Sequence, residues 1–377
     1  MSNSSDATPR ASRLATLLTL LKQDPNNLPL LSDAADVALK ENEPAVALDL
    51  LDRYASHEAL SARELNLRGL ALLQSSAFED AAQVFGELIY NGADDAGLRF
   101  NRAWCLAKLR QPAAALELVG EQDAVALPQA AMLRVHLLHD LARLDEALNE
   151  AKNYVEIYPT HGGLLAAASI VGIDSEDLEF ARRCAIAAPN NPDALTTLGT
   201  IALSEDRSAD AALLFGQALE KDPASPRAVI GAGLGKMLAG QYPQAALDIE
   251  RGAATFGDHI GSWVAAGWAY IFSSDLVAAR RCFDTAMTLD HNFGETHGSL
   301  AVLDLMEGRI DDARRAAQTA RRLNPQSFSA ALAQAMLLSS GGRADHARAI
   351  IERALHTPLD ASGRTIAQSL ARHGLSL

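Results

Sequence analysis

A column of alanines recurs along the second half of the sequence at a fixed spacing of 34 residues. Its members are Ala211, Ala245, Ala279, Ala313 and Ala347. Small residues also recur twelve positions before and seven positions after each of these alanines. A period of this length is typical of stacked helical repeats, in which no unit buries its own apolar face and each unit is stabilised by its neighbours.

The small residues have a packing explanation in the most regular unit, residues 260–293. Its characteristic positions are Trp263, Gly267, Tyr270, Ala279, Phe283 and Ala286. Gly267 and Ala279 allow two antiparallel helices to approach closely because neither residue carries a bulky side chain. The aromatic side chains are expected to fill the space around this contact. The pattern resembles the tetratricopeptide repeat, which is a helix–turn–helix unit.

The resemblance extends over nearly all of residues 28–360. It implies an all-α fold, a right-handed superhelical solenoid of about ten helix pairs with end-capping helices. The alanine column continues towards the N-terminus, but its spacing slips to 32 residues before Ala147 and to 30 residues after Ala181. The most degenerate unit is therefore residues 162–189, where Gly172 is expected to break a short first helix.

This organisation predicts four segments along the chain. They are a disordered N-terminus at residues 1–10, N-terminal units with a capping helix at 11–189, five regular units at 190–360 and a C-terminal capping helix at 361–377. Stability in a repeat array is approximately a sum over neighbouring units. A weak interface at the degenerate unit would therefore allow residues 190–377 to fold alone.

Charge and composition narrow the class of partner. The net charge of −14 disfavours nucleic acid as a partner, although residues 294–377 carry +2 and the remainder therefore carries −16.

No apolar stretch approaches the ~20 residues that a membrane span requires, and the polar start of the chain shows no secretory signal. The scattered residues Cys105, Cys184 and Cys282 match no disulfide framework and favour a reducing, cytoplasmic location, with each thiol buried as a small apolar group.

Two sequence patterns suggest chemistry but lack the residues that it requires. Residues 231–236 contain three glycines and Lys236, as a phosphate-binding loop does, but no strand precedes them and Met237 replaces the hydroxyl residue. His136 and His139 lie one helical turn apart without a third ligand at a recognisable spacing. The sequence therefore predicts a protein without catalytic residues, a cofactor or a metal.

The resemblance implies that the first helices line a concave groove and that the second helices form the outer wall. The groove-facing positions hold Asn66, Asn101, Trp104, His136, Thr196, Thr200, Leu234, Met237, Trp268 and Ile271. Trp268 is expected to face the open groove, whereas Trp263 is expected in the core. Asn66 and Asn101 also allow a clamp for a terminal carboxylate, but Lys108 is the only groove-facing lysine near them.

These patterns predict a non-catalytic scaffold or adaptor that binds a peptide or helix of a partner protein in the concave groove. Two alternatives stay open. One is an accessory or regulatory subunit of an enzyme or secretion complex that docks by its convex face. The other is a peptide-sensing signalling receptor. The sequence leaves the partner and the oligomeric state open.

Overall fold

The computed structural model of the chain describes residues 12–358, 365, 367 and 368. These residues form 22 α-helices and contain no β-strand. The chain divides into two compact units, Met1–Leu164 and Leu165–Leu377, and passes from one to the other within a helix. The all-α prediction is confirmed.

The helices of the first unit are α1 (Arg13–Gln23), α2 (Leu28–Lys40), α3 (Pro44–Ala55), α4 (Ala62–Gln74), α5 (Phe78–Tyr90), α6 (Ala96–Lys108), α7 (Pro112–Leu118), α8 (Glu121–Ala126), α9 (Pro128–Asp140) and α10 (Leu144–Ile157). The predicted N-terminal capping helix is α1, whose buried residues Leu14 and Leu21 pack on α2 and α3. The predicted disordered segment 1–10 lies outside the described residues.

Helix α11 (Gly162–Asp174) spans the boundary between the units. The helices that follow are α12 (Leu178–Ala187), α13 (Pro192–Ser204), α14 (Ser208–Lys221), α15 (Pro226–Leu238), α16 (Tyr242–Phe256), α17 (Ile260–Phe272), α18 (Leu276–Leu289), α19 (Gly294–Met306), α20 (Ile310–Leu323), α21 (Phe328–Ser340) and α22 (Ala344–Leu355). Within residues 12–358, all helices except α1 and α8 form ten consecutive helix pairs, in agreement with the predicted number. The predicted capping helix at 361–377 lies almost entirely outside the described residues.

The first helix of each described pair has the same length, 13 residues, whereas the second helices vary from 7 to 15 residues. The slips in the alanine column therefore arise in the second helices. Helix α12 has 10 residues where α14 has 14, which removes about one helical turn and accounts for the 30-residue spacing.

The predicted break at Gly172 is wrong, because α11 continues through it to Asp174. A methyl group at Gly172 would lie 2.9 Å from the backbone nitrogen of Ala181 on α12. The glycine therefore provides a close helix–helix contact, and its lower helix propensity is outweighed by this packing.

An unpredicted helix, α8, follows the short helix α7. Gly120 leaves the helical conformation, and its N–H donates to the Asp123 carboxylate at 2.9 Å. The same carboxylate accepts hydrogen bonds from the Arg99 guanidinium, the shortest at 2.6 Å, and is almost fully buried. This ion pair connects α8 to α6.

Every described turn between the two helices of a pair contains one residue with positive φ, two positions after the first helix ends. These φ values lie between 56° and 79°, at Asn42, Ser76, Arg110, Ala142, Glu176, Asp206, Gly240, Ser274, Gly308 and Gly342. Three of these ten residues are glycines. The left-handed conformation is common for glycine and unfavourable for residues with a β-carbon.

The predicted close contact between the two helices of a pair is present in three pairs. A methyl group at Gly267 would lie 2.3 Å from the ring of Phe283, which is fully buried. Gly69 approaches Phe85 and Gly199 approaches Phe215 in the same way. The ring of the second helix therefore occupies the volume that any side chain on the first helix would need.

We expect Gly267→Ala to destabilise the protein by about 1–3 kcal/mol, because the new methyl group overlaps the Phe283 ring. Gly216 is the control, since it is exposed on α14 and a methyl group there meets no atom within 4 Å. Gly216→Ala should stabilise by about 0.5–1 kcal/mol through helix propensity. Urea unfolding of both variants tests this, and equal effects would contradict the assigned contact.

The left-handed turn conformation predicts opposite effects on stability for two substitutions. Ala142→Gly should stabilise the protein by up to about 1 kcal/mol, because the left-handed conformation is unfavourable for a residue with a β-carbon and glycine has none. Gly240→Ala, at the equivalent turn, should destabilise by a similar amount. Thermal melting measures both shifts. If the melting temperatures of both variants shift in the same direction, the left-handed conformation does not determine the stability of these turns.

Candidate functional site

A cleft of about 160 Å³ lies along the first helices of the second unit. Its apolar lining consists of Ile170, Ile173, Leu203, Ile230 and Leu234, and its other side chains include Asp193, Thr196, Thr197, Thr200, Arg227, Phe256, His259 and Ser262. Three of the residues predicted to face the groove, Thr196, Thr200 and Leu234, are thus brought together here. The cleft is the candidate partner-binding site.

The threonine hydroxyls of the cleft already have hydrogen-bond partners. Thr196 donates to the carbonyl of Pro192 at 2.8 Å, and Thr200 donates to the carbonyl of Thr196 at 3.0 Å. The hydroxyl of Thr197 lies 3.0 Å from that of Ser169 on α11. An apolar ligand can therefore cover these residues without leaving a hydroxyl donor unsatisfied.

Arg227 forms the charged side of the cleft and is held in a fixed position. Its Nη2 donates to Oδ2 of Asp174 at 2.8 Å, and its guanidinium carbon lies 5.5 Å from the centroid of the Phe256 ring. Both charged side chains are about one-third exposed or less. Since a guanidinium carries five N–H donors, Arg227 can also donate to a ligand in the cleft.

His259 precedes α17 and caps it. Its Nδ1 accepts the backbone N–H of Ser262 at 3.2 Å and lies 2.6 Å from the Ser262 hydroxyl. The imidazole also packs on Phe256, with ring centroids 5.0 Å apart. Burial, together with the nearby cation of Arg227, lowers the pKa of His259 below its ordinary value. Because Ser262 is buried and Nδ1 serves the helix cap, this histidine–serine contact is structural.

Met237, Trp268 and Ile271 belong to a neighbouring hydrophobic cluster rather than to the cleft lining. The indole N–H of Trp268 donates to the Ser299 hydroxyl at 2.9 Å, and its ring packs edge-on against Phe283. Trp268 is therefore half-buried in the core, with only part of its ring available to a partner. Trp263, expected in the core, is also half-buried.

The groove-facing residues predicted in the first unit are all half-buried on first helices. They are Asn66 on α4, Asn101 and Trp104 on α6, and His136 on α9. The ammonium of Lys108 lies 4.8 Å from the centroid of the Trp104 ring. Lys108 thus makes a cation–π contact, which accounts for its position without a carboxylate clamp.

Sequence reasoning did not identify Asp174, Arg227, Phe256 or His259 as site residues. The signal for His259 is its position immediately before a helix, where a side-chain acceptor is preferred. The Arg227–Asp174 pair carries no local signal, because the two residues are 53 positions apart.

The other patterns considered for chemistry have structural explanations. Gly231 and Gly233 lie within α15, where added methyl groups would meet Phe215 and Ile249. Burial raises the pKa of Cys105 and Cys184 to about 11 and that of Cys282 to about 12, so these thiols are inert.

Two other kinds of site are absent from the described residues. In that part of the chain, no three His, Cys, Asp or Glu side chains are grouped so that they could hold a metal ion. Among the helices described, none has the length and apolar character needed to cross a membrane.

The lowered pKa of His259 predicts a pH-dependent stability. Below about pH 6.5 the unfolded chain binds more protons at His259 than the folded protein does. The free energy of unfolding is therefore highest above that pH and falls as the pH decreases towards the pKa of His259 in the folded protein. The loss is at most about 1.4 kcal/mol per pH unit for one proton. His259→Asn keeps a cap acceptor without a titrating group.

Urea unfolding at about pH 7.5 and about pH 5.5 compares the wild type with His259→Asn. The variant should lose less stability over this range than the wild type. An identical pH dependence in both proteins would show that His259 does not contribute to it.

Comparison with known protein families gives one match. The sequence model described as "Tetratricopeptide repeat" matches residues 32–96, 196–259 and 300–363, which together make up just over half of the chain. A curated relative, Tetratricopeptide repeat protein 8 of Caenorhabditis elegans, is 26% identical over 209 residues. That alignment covers 51% of this chain and 41% of the relative, so the chain spans about two-fifths of the relative's length.

Solved structures of similar fold include a monomeric mutant of IFIT1 with Gppp-AAAA. It has a TM-score of 0.54 and 12% sequence identity, and the match covers 90% of this chain and 94% of the IFIT1 chain. The human IFIT1 dimer with PPP-AAAA has a TM-score of 0.53 and 12% identity, covering 94% of this chain and 97% of its own. At this identity the likeness shows the fold alone. The family match and the ten helix pairs described above establish that the chain belongs to the tetratricopeptide repeat family.

Proposed function

We infer that the protein is a non-catalytic scaffold or adaptor, and that the cleft of the second unit binds an extended or helical segment of a partner protein. Stacked helical repeats generally provide extended concave surfaces for protein interaction. The observation that carries the proposal is the combination of an apolar lining with one fixed cation, Arg227, in a cleft on the first helices. Peptide grooves commonly combine apolar pockets with a few oriented polar groups.

The chemistry of the cleft favours a segment that inserts an apolar side chain. Such a side chain would cover Ile173, Ile230 and Leu234, and the hydrophobic effect would contribute about 25 cal/mol per Å² of apolar surface removed from water. Arg227 remains paired with Asp174 and can donate a further hydrogen bond to a carbonyl of the segment. Specificity would come from the shape of the pocket and from this single donor.

A second candidate function is docking by the convex face, as expected of an accessory or regulatory subunit. Leu213 on α14 and Leu247 on α16 occupy equivalent positions in neighbouring pairs and are 62% and 63% exposed. Large apolar side chains repeated on one outer surface are a feature of interaction sites. The substitutions below separate the two surfaces.

Nucleic acid is the less favoured partner class, because a chain with a net charge of −14 repels a polyanion. The oligonucleotide ligands of the IFIT1 structures belong to proteins only 12% identical to this one. The cleft of the second unit has an apolar lining with one arginine, which suits a protein segment better than a chain of phosphates.

Thr200→Arg should abolish binding of the groove partner without unfolding the protein. Thr200 is exposed at the cleft, so a long charged side chain fills the pocket with little effect on packing. Leu213→Arg introduces the same side chain at an exposed position of the same helix pair, outside the cleft. Co-purification from the native host followed by mass spectrometry, together with thermal melting, compares both variants with the wild type.

The expected result is a partner captured by the wild type and by Leu213→Arg but lost from Thr200→Arg, with melting temperatures within a few degrees. Loss of that partner from Leu213→Arg alone would instead support docking by the convex face. Retention of every partner by Thr200→Arg would contradict the groove proposal.

A further inference from the structure

The segment that contains the last three described helices, α20 to α22, differs in charge from the rest of the chain. Residues 310–358 contain seven arginines and four acidic residues, which gives this segment a net charge of +3. The whole chain carries −14. A concentration of one charge sign on a few elements is a common feature of a binding surface for the opposite charge.

The arginines at the start of α20 have partners on their own helix. Arg314 pairs with Asp311 at 3.0 Å, and Arg315 pairs with Asp312. These contacts are exposed ion pairs of the i,i+3 type, which contribute little free energy but satisfy both charges.

Arg321 and Arg353 differ from these arginines, because neither forms an ion pair with any residue in the described part of the chain. Both lie in the last turn of a second helix, Arg321 in α20 and Arg353 in α22. Cations are favoured in that turn by the helix dipole, which explains each arginine separately. It does not explain why the two side chains line the same cleft.

That cleft has a volume of about 410 Å³ and lies between α20, α21 and α22. Its polar side chains are Arg321, Gln326, Ser327, Gln334, Arg353 and Thr357. The guanidinium groups supply only donors, and the two amides can supply more. The hydroxyls of Ser327 and Thr357 already donate to the Glu295 carboxylate and to the Arg353 carbonyl. The N-terminus of α21 also begins beside Ser327, but the Glu295 carboxylate already accepts hydrogen bonds there from the Ser327 hydroxyl and the Ser329 backbone N–H. No carboxylate lines it within the described residues.

We propose that this cleft, between consecutive second helices, is a binding site for the carboxylates of an acidic peptide segment of a partner protein. Planar guanidinium groups bind carboxylates with two parallel hydrogen bonds, and such charge-assisted bonds are about twice as strong as neutral ones. The cleft is lined by none of the residues of the groove site, so the proposal is independent of the function inferred above.

An acidic peptide fits the charge distribution better than a nucleic acid does. A nucleic acid extends its charge over many phosphates and would also meet the −16 carried by residues 1–293. A short peptide with a few carboxylates interacts only with the local positive charge, because exposed charges farther than about 10 Å are screened at ~0.1 M salt.

Fluorescence anisotropy with labelled octaglutamate and the full-length chain tests the proposal, with labelled octaglutamine as the neutral control. The double variant R321Q/R353Q should weaken octaglutamate binding about a hundredfold, at about tenfold for each lost charge-assisted contact. The matched control is R314Q/R315Q, which removes the same charge from α20 but only at arginines that already pair with aspartates. It should change the affinity less than about threefold, and thermal melting verifies that both variants fold.

Four results would overturn the proposal. Equal weakening in both double variants would indicate attraction to net charge without a site. Octaglutamine binding as tightly as octaglutamate would exclude carboxylate recognition. Tighter binding of a labelled octauridylate would assign the cleft to nucleic acid. Absence of octaglutamate binding to the wild type at millimolar concentration would show that the cleft does not bind acidic peptides.

Discussion

This structure depends on one type of contact. A small residue on the first helix of a pair packs against the buried side chain opposite it on the second helix. Glycine faces a fully buried phenylalanine at Gly199 and Phe215 and at Gly267 and Phe283. The missing side chain lets the ring reach the backbone of the first helix, and protein interiors leave no space for an additional methyl group. A large residue at this position would separate the two helices and alter the contacts of every neighbouring pair.

The constant first helices explain how a binding surface can form on them. Because each has 13 residues and ends in a turn with one left-handed residue, equivalent positions in successive pairs project side chains in the same way. Thr196 and Ile230 occupy equivalent positions in neighbouring pairs and both line the cleft of the second unit. The second helices α7 and α12 tolerate a change in length because neither contributes a residue to the lining of this cleft.

The second unit presents two surfaces with different chemistry. In the cleft of the second unit the charge of Arg227 is already balanced by Asp174, and the lining also includes Asp193, so this cleft holds no unbalanced cation. In the cleft between α20 and α22, Arg321 and Arg353 form no ion pair within the described residues. An apolar segment and an acidic segment would therefore bind at separate places, which is the arrangement that an adaptor requires.

The sequence by itself determined the repeat length, the number of helix pairs and the small-residue contacts, because these depend on packing that recurs every 34 residues. It also identified Thr196, Thr200 and Leu234 as residues of one surface, since they share a register. Only the tertiary structure decided that α11 continues through Gly172, because a local preference against glycine in helices is outweighed by a contact with α12. It alone brought Arg227 to Asp174 and directed the Trp268 indole towards Ser299, because these partners are 53 and 31 residues apart and no local pattern records which distant side chains meet.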